Sequence, residues 1–404
     1  MKHAGERASP LRGRYLVRNR AWNAWLRIND KWLERHASPV APMPATPRRV
    51  LVAVGGHLGD AMIATGSISA LRSAQPDVEV GVLTGSWNNP VFAQHPGIRW
   101  LHNADHWKQN RSSAILPARW ITSATSAARA LRDIREVGYD TALDLSPYYP
   151  NASRVLWDAR IPVRVGFVSG GGGPLYTHRL EWTPGRHITE DHATLLGVII
   201  PDLATRDVRF QFELAAARAG AREQFTRKFS DAGIDLANYV VVHAGAGISR
   251  KEWHPSGWTT VTRALQSDGV DVVLTGAGKR QLDTARQIER ETGAHNFCDR
   301  LDWDEFRCAI DSARLVMCVD TVAMHLAAAA DTPCVALMTG MDDPTRWQPK
   351  HGRTTTLMRP VACAPCYRSR GCAAMSCVRD VSPDDVTAAA RRSLSALSMH
   401  PVQS

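Results

Sequence analysis

Four short runs in this 404-residue chain hold side chains able to do chemistry. The first is Gly55-Gly56-His57-Leu58-Gly59-Asp60, set between the apolar run at residues 50–54 and the helical apolar spacing of residues 61–73. A carboxylate between a strand end and a helix start can take a proton from a substrate hydroxyl. It can equally cap the first N–H groups of the helix. The run is not G-x-G-x-x-G and the chain has no Walker A sequence, so neither a dinucleotide fingerprint nor a P-loop is supported. The second run is Arg250-Lys251-x-Trp253-x-Pro255, which follows His243-Ala244-Gly245-Ala246-Gly247. A lysine there either neutralises a diphosphate as a point charge or is a solvated loop cation. In the third, Asp320-Thr321-Val322-Ala323-Met324-His325, a strand runs into a helix whose first N–H groups can hold an anion. Asp320 or Thr321 capping that helix is compatible with phosphate at the same end, and His325 has the alternative of being an interior histidine. The fourth is Cys363-x2-Cys366-x5-Cys372-x4-Cys377. It reads as a tetrathiolate knuckle for a structural metal, zinc by default or iron, with no open position for catalysis. Free thiols are the alternative.

The elements that must position these residues alternate along the chain. Strands are expected at residues 50–54, 78–83 and 141–145, with helices at 61–73 and 124–136. After a loop-rich middle the pattern restarts, with strands at 239–243, 270–274, 315–319 and 334–338 and helices at 258–268, 280–292 and 324–330. Continuous apolar strands alternating with helices imply parallel, doubly wound sheets. The expected architecture is α/β, two Rossmann-like domains facing a cleft. An N-terminal arm and Pro-rich linker fill residues 1–47, an acceptor domain residues 48–205, and a donor domain residues 206–404 including the cysteine cluster.

Charge is concentrated in the arm. The chain has 49 basic and 39 acidic residues, a net charge of +10, and residues 1–50 hold 11 Lys/Arg against 3 Asp/Glu. The nearly neutral remainder excludes a nucleic-acid-binding body. On a helical wheel Tyr15, Trp22, Trp25, Leu26, Trp32 and Leu33 share one face, with Arg20, Arg27 and Lys31 opposite. Such a helix either lies peripherally in the headgroups of an anionic membrane or packs on the protein itself or a sister subunit. No stretch approaches the roughly 18 continuous apolar residues of a membrane span, and the N-terminus lacks a secretory signal. Eight cysteines in a chain of this length do not make a disulfide scaffold, so a cytoplasmic protein is expected.

Taken in order over roughly residues 50–390, these motifs resemble the ADP-heptose–lipopolysaccharide heptosyltransferase family (glycosyltransferase family 9). The matching segments are Gly59-Asp60, His243-Ala244-Gly245-Ala246 with Lys251-x-Trp253-x-Pro255, and Asp320-Thr321-x-x-Met324-His325-Leu326-Ala327-Ala328. Asp342-Asp343-Pro344-x-Arg346-Trp347 and the run from Cys363 through Cys377 to Val386 complete them. Val322 stands where the family usually has Gly, Gly66 where it commonly has Pro, and the basic arm is an addition. The resemblance implies the GT-B fold and an inverting, metal-independent transfer of a sugar, heptose from ADP-heptose by default. The acceptor would be a hydroxyl of a lipopolysaccharide-type glycolipid or related glycan. Asp60 would be the general base, and Lys251 would stabilise the leaving diphosphate with the helix start. Gly245, Lys251, Asp320, Thr321, Val322, Ala323, Met324 and His325 would contact the nucleotide-sugar. A GT-B nucleotide-sugar epimerase or hydrolase, and a non-catalytic nucleotide-sugar-binding scaffold, share the same donor end.

Overall fold

A computed structural model describes residues 15–17, 19–112, 114–200, 203, 210–350, 352–368 and 370–398. The chain divides into two compact units, Met1–Ala215 and Ala216–Ser404. The boundary expected between residues 205 and 206 lies outside the described residues.

In the first unit the strands are β1 (Arg49–Val54), β2 (Glu79–Thr84), β3 (Trp100–Asn103), β4 (Thr141–Asp144), β5 (Val163–Phe167) and β6 (His178–Leu180). They form one sheet in the order β3-β2-β1-β4-β5-β6, every neighbouring pair parallel. Its helices are α1 (Arg20–Leu33), α2 (Leu58–Ala74), α3 (Asn89–Phe92), α4 (Leu116–Val137), α5 (Ser153–Asp158) and α6 (Ile188–Ile199). β1, β4 and β5 are apolar and buried almost end to end, as strands covered on both faces must be.

The second unit repeats the plan. Its strands are β7 (Tyr239–His243), β8 (Asp271–Leu274), β9 (His295–Asn296), β10 (Leu315–Val319), β11 (Cys334–Leu337) and β12 (Thr354–Leu357). Its helices are α7 (Ala221–Asp231), α8 (Pro255–Ser267), α9 (Lys279–Thr292), α10 (Trp303–Asp311), α11 (Val322–Ala329), α12 (Pro344–Trp347), α13 (Ser376–Arg379) and α14 (Pro383–Ser398). The all-parallel order β12-β11-β10-β7-β8-β9 becomes 3-2-1-4-5-6 when strands are counted within the unit, the same as in the first. Each sheet therefore has a switch point between its first and fourth strands, β1/β4 and β7/β10. In open α/β sheets, ligands bind in the crevice outside the strand carboxyl ends at that point.

The arm belongs to the first unit. Leu26, Asp30 and Leu33 recur at helical spacing and are buried. The Asp30 carboxylate accepts the Gly172 N–H at 2.7 Å and the Tyr15 hydroxyl at 2.9 Å. Gly171 has φ +81°, and a Cβ there would stand 2.6 Å from Leu26 Cδ2, so only glycine admits the helix at this distance. The expected apolar face is thus divided. Tyr15, Leu26 and Leu33 are buried, Trp22 is half-buried, and Trp25 and Trp32 remain exposed. Nor does the segment behind the arm merely space it from the body. The Ser38 N–H donates to the Pro174 carbonyl at 2.8 Å, and the Ser38 carbonyl accepts from Arg179 at 3.1 Å.

Candidate active site

In the first unit the switch point is lined by the loop after β1, residues 55–57, with the first turn of α2, and by the loop after β4. Asp60 sits in the first turn of α2, and its Oδ2 accepts the His57 N–H at 2.9 Å. Asp60 is therefore not the N-cap, which is His57, but the third helical residue, reaching back to the N-cap N–H as one arm of a capping box. The carboxylate remains half-buried. Gly56 makes this turn feasible: its φ is +81°, and a Cβ would lie 2.2 Å from Asp60 Oδ2. Trp87 braces the loop from outside, donating its indole N–H to the Gly56 carbonyl at 2.8 Å while its ring packs against His57 at 5.7 Å.

The partner loop is organised by Asp144, which the motif analysis did not single out. Asp144 is buried and accepts from Ser146 N–H at 3.1 Å, Ala152 N–H at 2.6 Å and the Tyr176 hydroxyl at 2.8 Å. Burial pushes its carboxyl up to about 6 against the pull of these donors. Ser146 in turn lies against Gly55, 3.2 Å from where a Cβ would be. The signal for Asp144 was its place at the carboxyl end of the fourth strand, legible only once the strand order is known.

In the second unit the structure brings two of the expected residues together. Lys251 Nζ donates to Asp320 Oδ2 at 2.7 Å, joining the loop after β7 to the end of β10 across the switch point. Asp320 is thereby occupied by the lysine. Thr321 holds the N-cap position of α11, but its side chain makes no capping bond, so the first-turn N–H groups of that helix have no side-chain cap from it. Val322 is half-buried there, and Ala323, Met324 and His325 are buried in the helix.

The loop after β7 is also held from α9, by residues that motif reading missed. Glu252 accepts the Ala246 N–H at 3.0 Å and ion-pairs with Arg280, which donates to the Ala246 carbonyl at 2.7 Å. Gly245 leaves room for Gln281: a Cβ there would stand 2.3 Å from Gln281 Cδ. His243, ending β7, is within 3.1 Å of the Thr275 hydroxyl, and burial pushes its imidazole down to about 4.

The four clustered cysteines differ in exposure. Cys363 is exposed, Cys366 and Cys372 are half-buried, and Cys377 is buried. Among the described residues no three His, Cys, Asp or Glu side chains form a group that could hold a metal ion. Burial raises the Cys377 thiol, and the nearby Cys366 and Cys372 add to that shift.

With the geometry in place, comparison with known proteins supplies the family. The family model "Glycosyltransferase family 9 (heptosyltransferase)" matches residues 127–375, more than half of the chain. The chain belongs to glycosyltransferase family 9. It is an enzyme that transfers glycosyl groups. A lipopolysaccharide heptosyltransferase 3 of Escherichia coli is 25% identical over 300 residues, covering 72% of this chain and 83% of that protein. Among solved structures, a family 9 glycosyltransferase from Veillonella parvula superposes with a TM-score of 0.72 at 19% identity, covering 88% of this chain and 99% of that one. The E. coli ADP-heptose lps heptosyltransferase II gives a TM-score of 0.66 at 17% identity, covering 87% and 99%. The paired parallel sheets are therefore the GT-B fold expected from the motifs. The family match spans the Lys251 and Asp320 segments of this glycosyltransferase, whereas Asp60 precedes it.

Proposed function

We propose that this family 9 glycosyltransferase moves a heptose from ADP-heptose onto a hydroxyl of a lipopolysaccharide-type glycolipid, working at a membrane surface. The observation that carries the reading is the Lys251–Asp320 ion pair at the switch point of the second unit, beside the α11 start that Thr321 leaves uncapped. A cation and a row of backbone N–H groups at one point suit a diphosphate. The relatives named for ADP-heptose and lipopolysaccharide support the choice of substrates.

In this reading Asp60 is the base. The acceptor oxygen attacks the anomeric carbon from the face opposite the diphosphate, and the acceptor's proton passes to the Asp60 carboxylate. The bond from the anomeric carbon to the diphosphate oxygen breaks, and its electron pair leaves with ADP. The transition state has oxocarbenium character, as in glycoside hydrolysis. Lys251 and the α11 N–H groups meet the charge that develops on the leaving oxygen. Inversion follows from single displacement, and no metal enters any step.

The test is isothermal titration with ADP, UDP and GDP on the native protein and on Lys251→Ala, followed by transfer from ADP-heptose to heptose-deficient lipopolysaccharide. Preferential ADP binding that weakens in the variant, with a heptosylated product, supports the reading. Preferential UDP or GDP binding would overturn the donor. Conversion of the sugar nucleotide without acceptor would replace transfer by epimerisation or hydrolysis.

A further inference from the structure

Exposed large apolar side chains are not scattered over this protein. Among the described residues they fall on the first unit and, apart from Val40 in the segment behind the arm, in two places joined by a chain of ring contacts. On α1 they are Trp25, Ile28 and Trp32, a stripe beside the one that docks the helix. At the start of α4 they are Ile115, Leu116, Trp120 and Ile121, with Ile115 72% exposed. From residue 116 to 129 α4 buries no described side chain, and its packing begins at Ala130 and Ile134. The apolar tip of this helix start thus stays outside the protein's buried core.

Rings connect the two places. Trp120 meets Trp107 at 6.0 Å, Trp107 stacks on His106 at 5.7 Å, and His106 meets Tyr149 at 6.1 Å. Tyr149 then meets Trp25 at 5.7 Å, and Trp25 stacks on Trp22 at 4.8 Å. Lys108 holds its ammonium 4.5 Å from the Trp22 ring and 4.9 Å from that of Tyr149. The charge along this surface is predominantly positive, with Asp105, Asp133 and Glu34 at its margins and Arg132 paired to Asp133. Residues 106–132 contain Lys108, Arg111, Arg119, Arg129 and Arg132 and no Asp or Glu. On α1 Arg20, Arg27 and Lys31 are exposed, and Asp30 is buried in the docking contact.

We propose that α1 and the first turns of α4 together form a docking surface for an anionic lipid bilayer. Tryptophan and isoleucine tips surrounded by Arg and Lys are the chemistry of a headgroup boundary, where rings bury their apolar bodies and cations meet lipid phosphates. The placement gives the contact a purpose, which rests on the reading of the acceptor as a glycolipid. All six strands of the first sheet are parallel, so the loops after β1, β3 and β4 leave from one edge. Gly55 lies beside Ser146 and within reach of Gln109, which belongs to the same loop as Trp107 and Lys108. Docking through this surface brings the edge that carries Asp60 to the level of lipid-anchored sugars.

The full-length protein is sedimented with vesicles of phosphatidylcholine alone and with one-third phosphatidylglycerol, alongside Ile28→Glu, Ile121→Glu and the double variant. Both positions are exposed, and circular dichroism melts establish that the variants fold. Binding to the anionic vesicles that weakens with salt and drops at least about tenfold in each single variant is expected, since each removes an apolar contact and adds a repelled charge. Transfer to a delipidated, soluble acceptor should be unchanged. Absence of vesicle binding, or binding indifferent to both substitutions, overturns the proposal. A dimer in solution that the same substitutions dissociate overturns it in favour of a second copy. Loss of transfer to the soluble acceptor in the native protein, with vesicle binding intact, defeats the catalytic reading and leaves the docking surface standing.

Discussion

At the scale of single residues, Asp60 has two duties that a pair of substitutions separates. Its Oδ2 accepts the His57 N–H, and its carboxylate is the proposed proton acceptor. Asp60→Asn keeps an oxygen for the backbone bond and loses the basicity. Its thermal stability should stay near that of the native protein, while turnover falls about 10²- to 10⁴-fold, the usual contribution of a general base. Asp60→Ala should lose as much turnover and about 1 kcal/mol of stability in addition, since its hydrogen bond to the His57 N–H goes too. Initial rates with thermal melts check both. Full activity in Asp60→Asn would leave only the capping duty. The Lys251–Asp320 pair permits a second separation. Lys251→Met should weaken ADP binding about 10- to 100-fold, the worth of a hydrogen bond to a charged group, because it removes the cation and leaves the Asp320 carboxylate facing the phosphates. Removing that repulsion in Lys251→Met/Asp320→Asn should restore part of the affinity. Titration calorimetry of native, single and double variants measures the coupling, and equal affinities in the single and double variants would show that Asp320 exerts no repulsion.

At the scale of elements, the glycines at loop-to-helix contacts decide whether an element can dock. Gly171→Ala forces a Cβ into Leu26 at a backbone angle that disfavours any side chain. We expect it to release α1 locally, at about 1–3 kcal/mol, the cost of a strained backbone position. Trypsin cleavage at Arg27 or Lys31 should accelerate while the melt of the sheet is unchanged, and an unaltered cleavage rate would mean that the helix is held by other contacts. The helix itself was legible in the sequence from its 3.6-residue pattern, but the stripe that docks was not. Its complement, Gly171 and Gly172, lies far along the chain, and Tyr15 and Asp30 read locally as ordinary members of the wheel. The same distinction runs through the sheets. β1, β7 and β10 are long apolar runs that mark themselves, whereas β9 has two residues and β3 and β6 mix polar with apolar ones. Lys251 and Asp320 were legible as motifs, and their contact was legible only through the strand order. Asp144, Glu252 and Arg280 carry no motif: Asp144 and Glu252 brace the loops beside them in the chain, and Arg280 reaches across from α9.

At the scale of the whole molecule, acid should act on the two units through buried groups of opposite sign. His243 is pushed down to about 4 by burial, against 6.5 in the unfolded chain. Between those values the unfolded state binds the proton and the folded state does not, so His243 favours unfolding as the pH falls. Asp144 is pushed up to about 6, against 3.8 unfolded. Between those values the folded state binds the proton, so acidification relieves the cost of its buried charge. From pH 7 to pH 4.5 each group accounts for about 2 kcal/mol, His243 against the second unit and Asp144 in favour of the first. Urea unfolding at both pH values, on the native protein, His243→Asn and Asp144→Asn, isolates these contributions, because all other titrations are common to the three. The stability of the native protein relative to His243→Asn should shrink on acidification, and relative to Asp144→Asn it should grow. The first change belongs to the transition that carries Trp253 and Trp258, the second to the transition of the unit holding Trp22, Trp25 and Trp120. Parallel pH profiles in all three proteins would show that neither burial controls the ionisation. Opposite difference profiles would mean that burial controls both ionisations, and His106 of the first unit, also pushed down to about 4, should behave as His243 does when replaced in the same way.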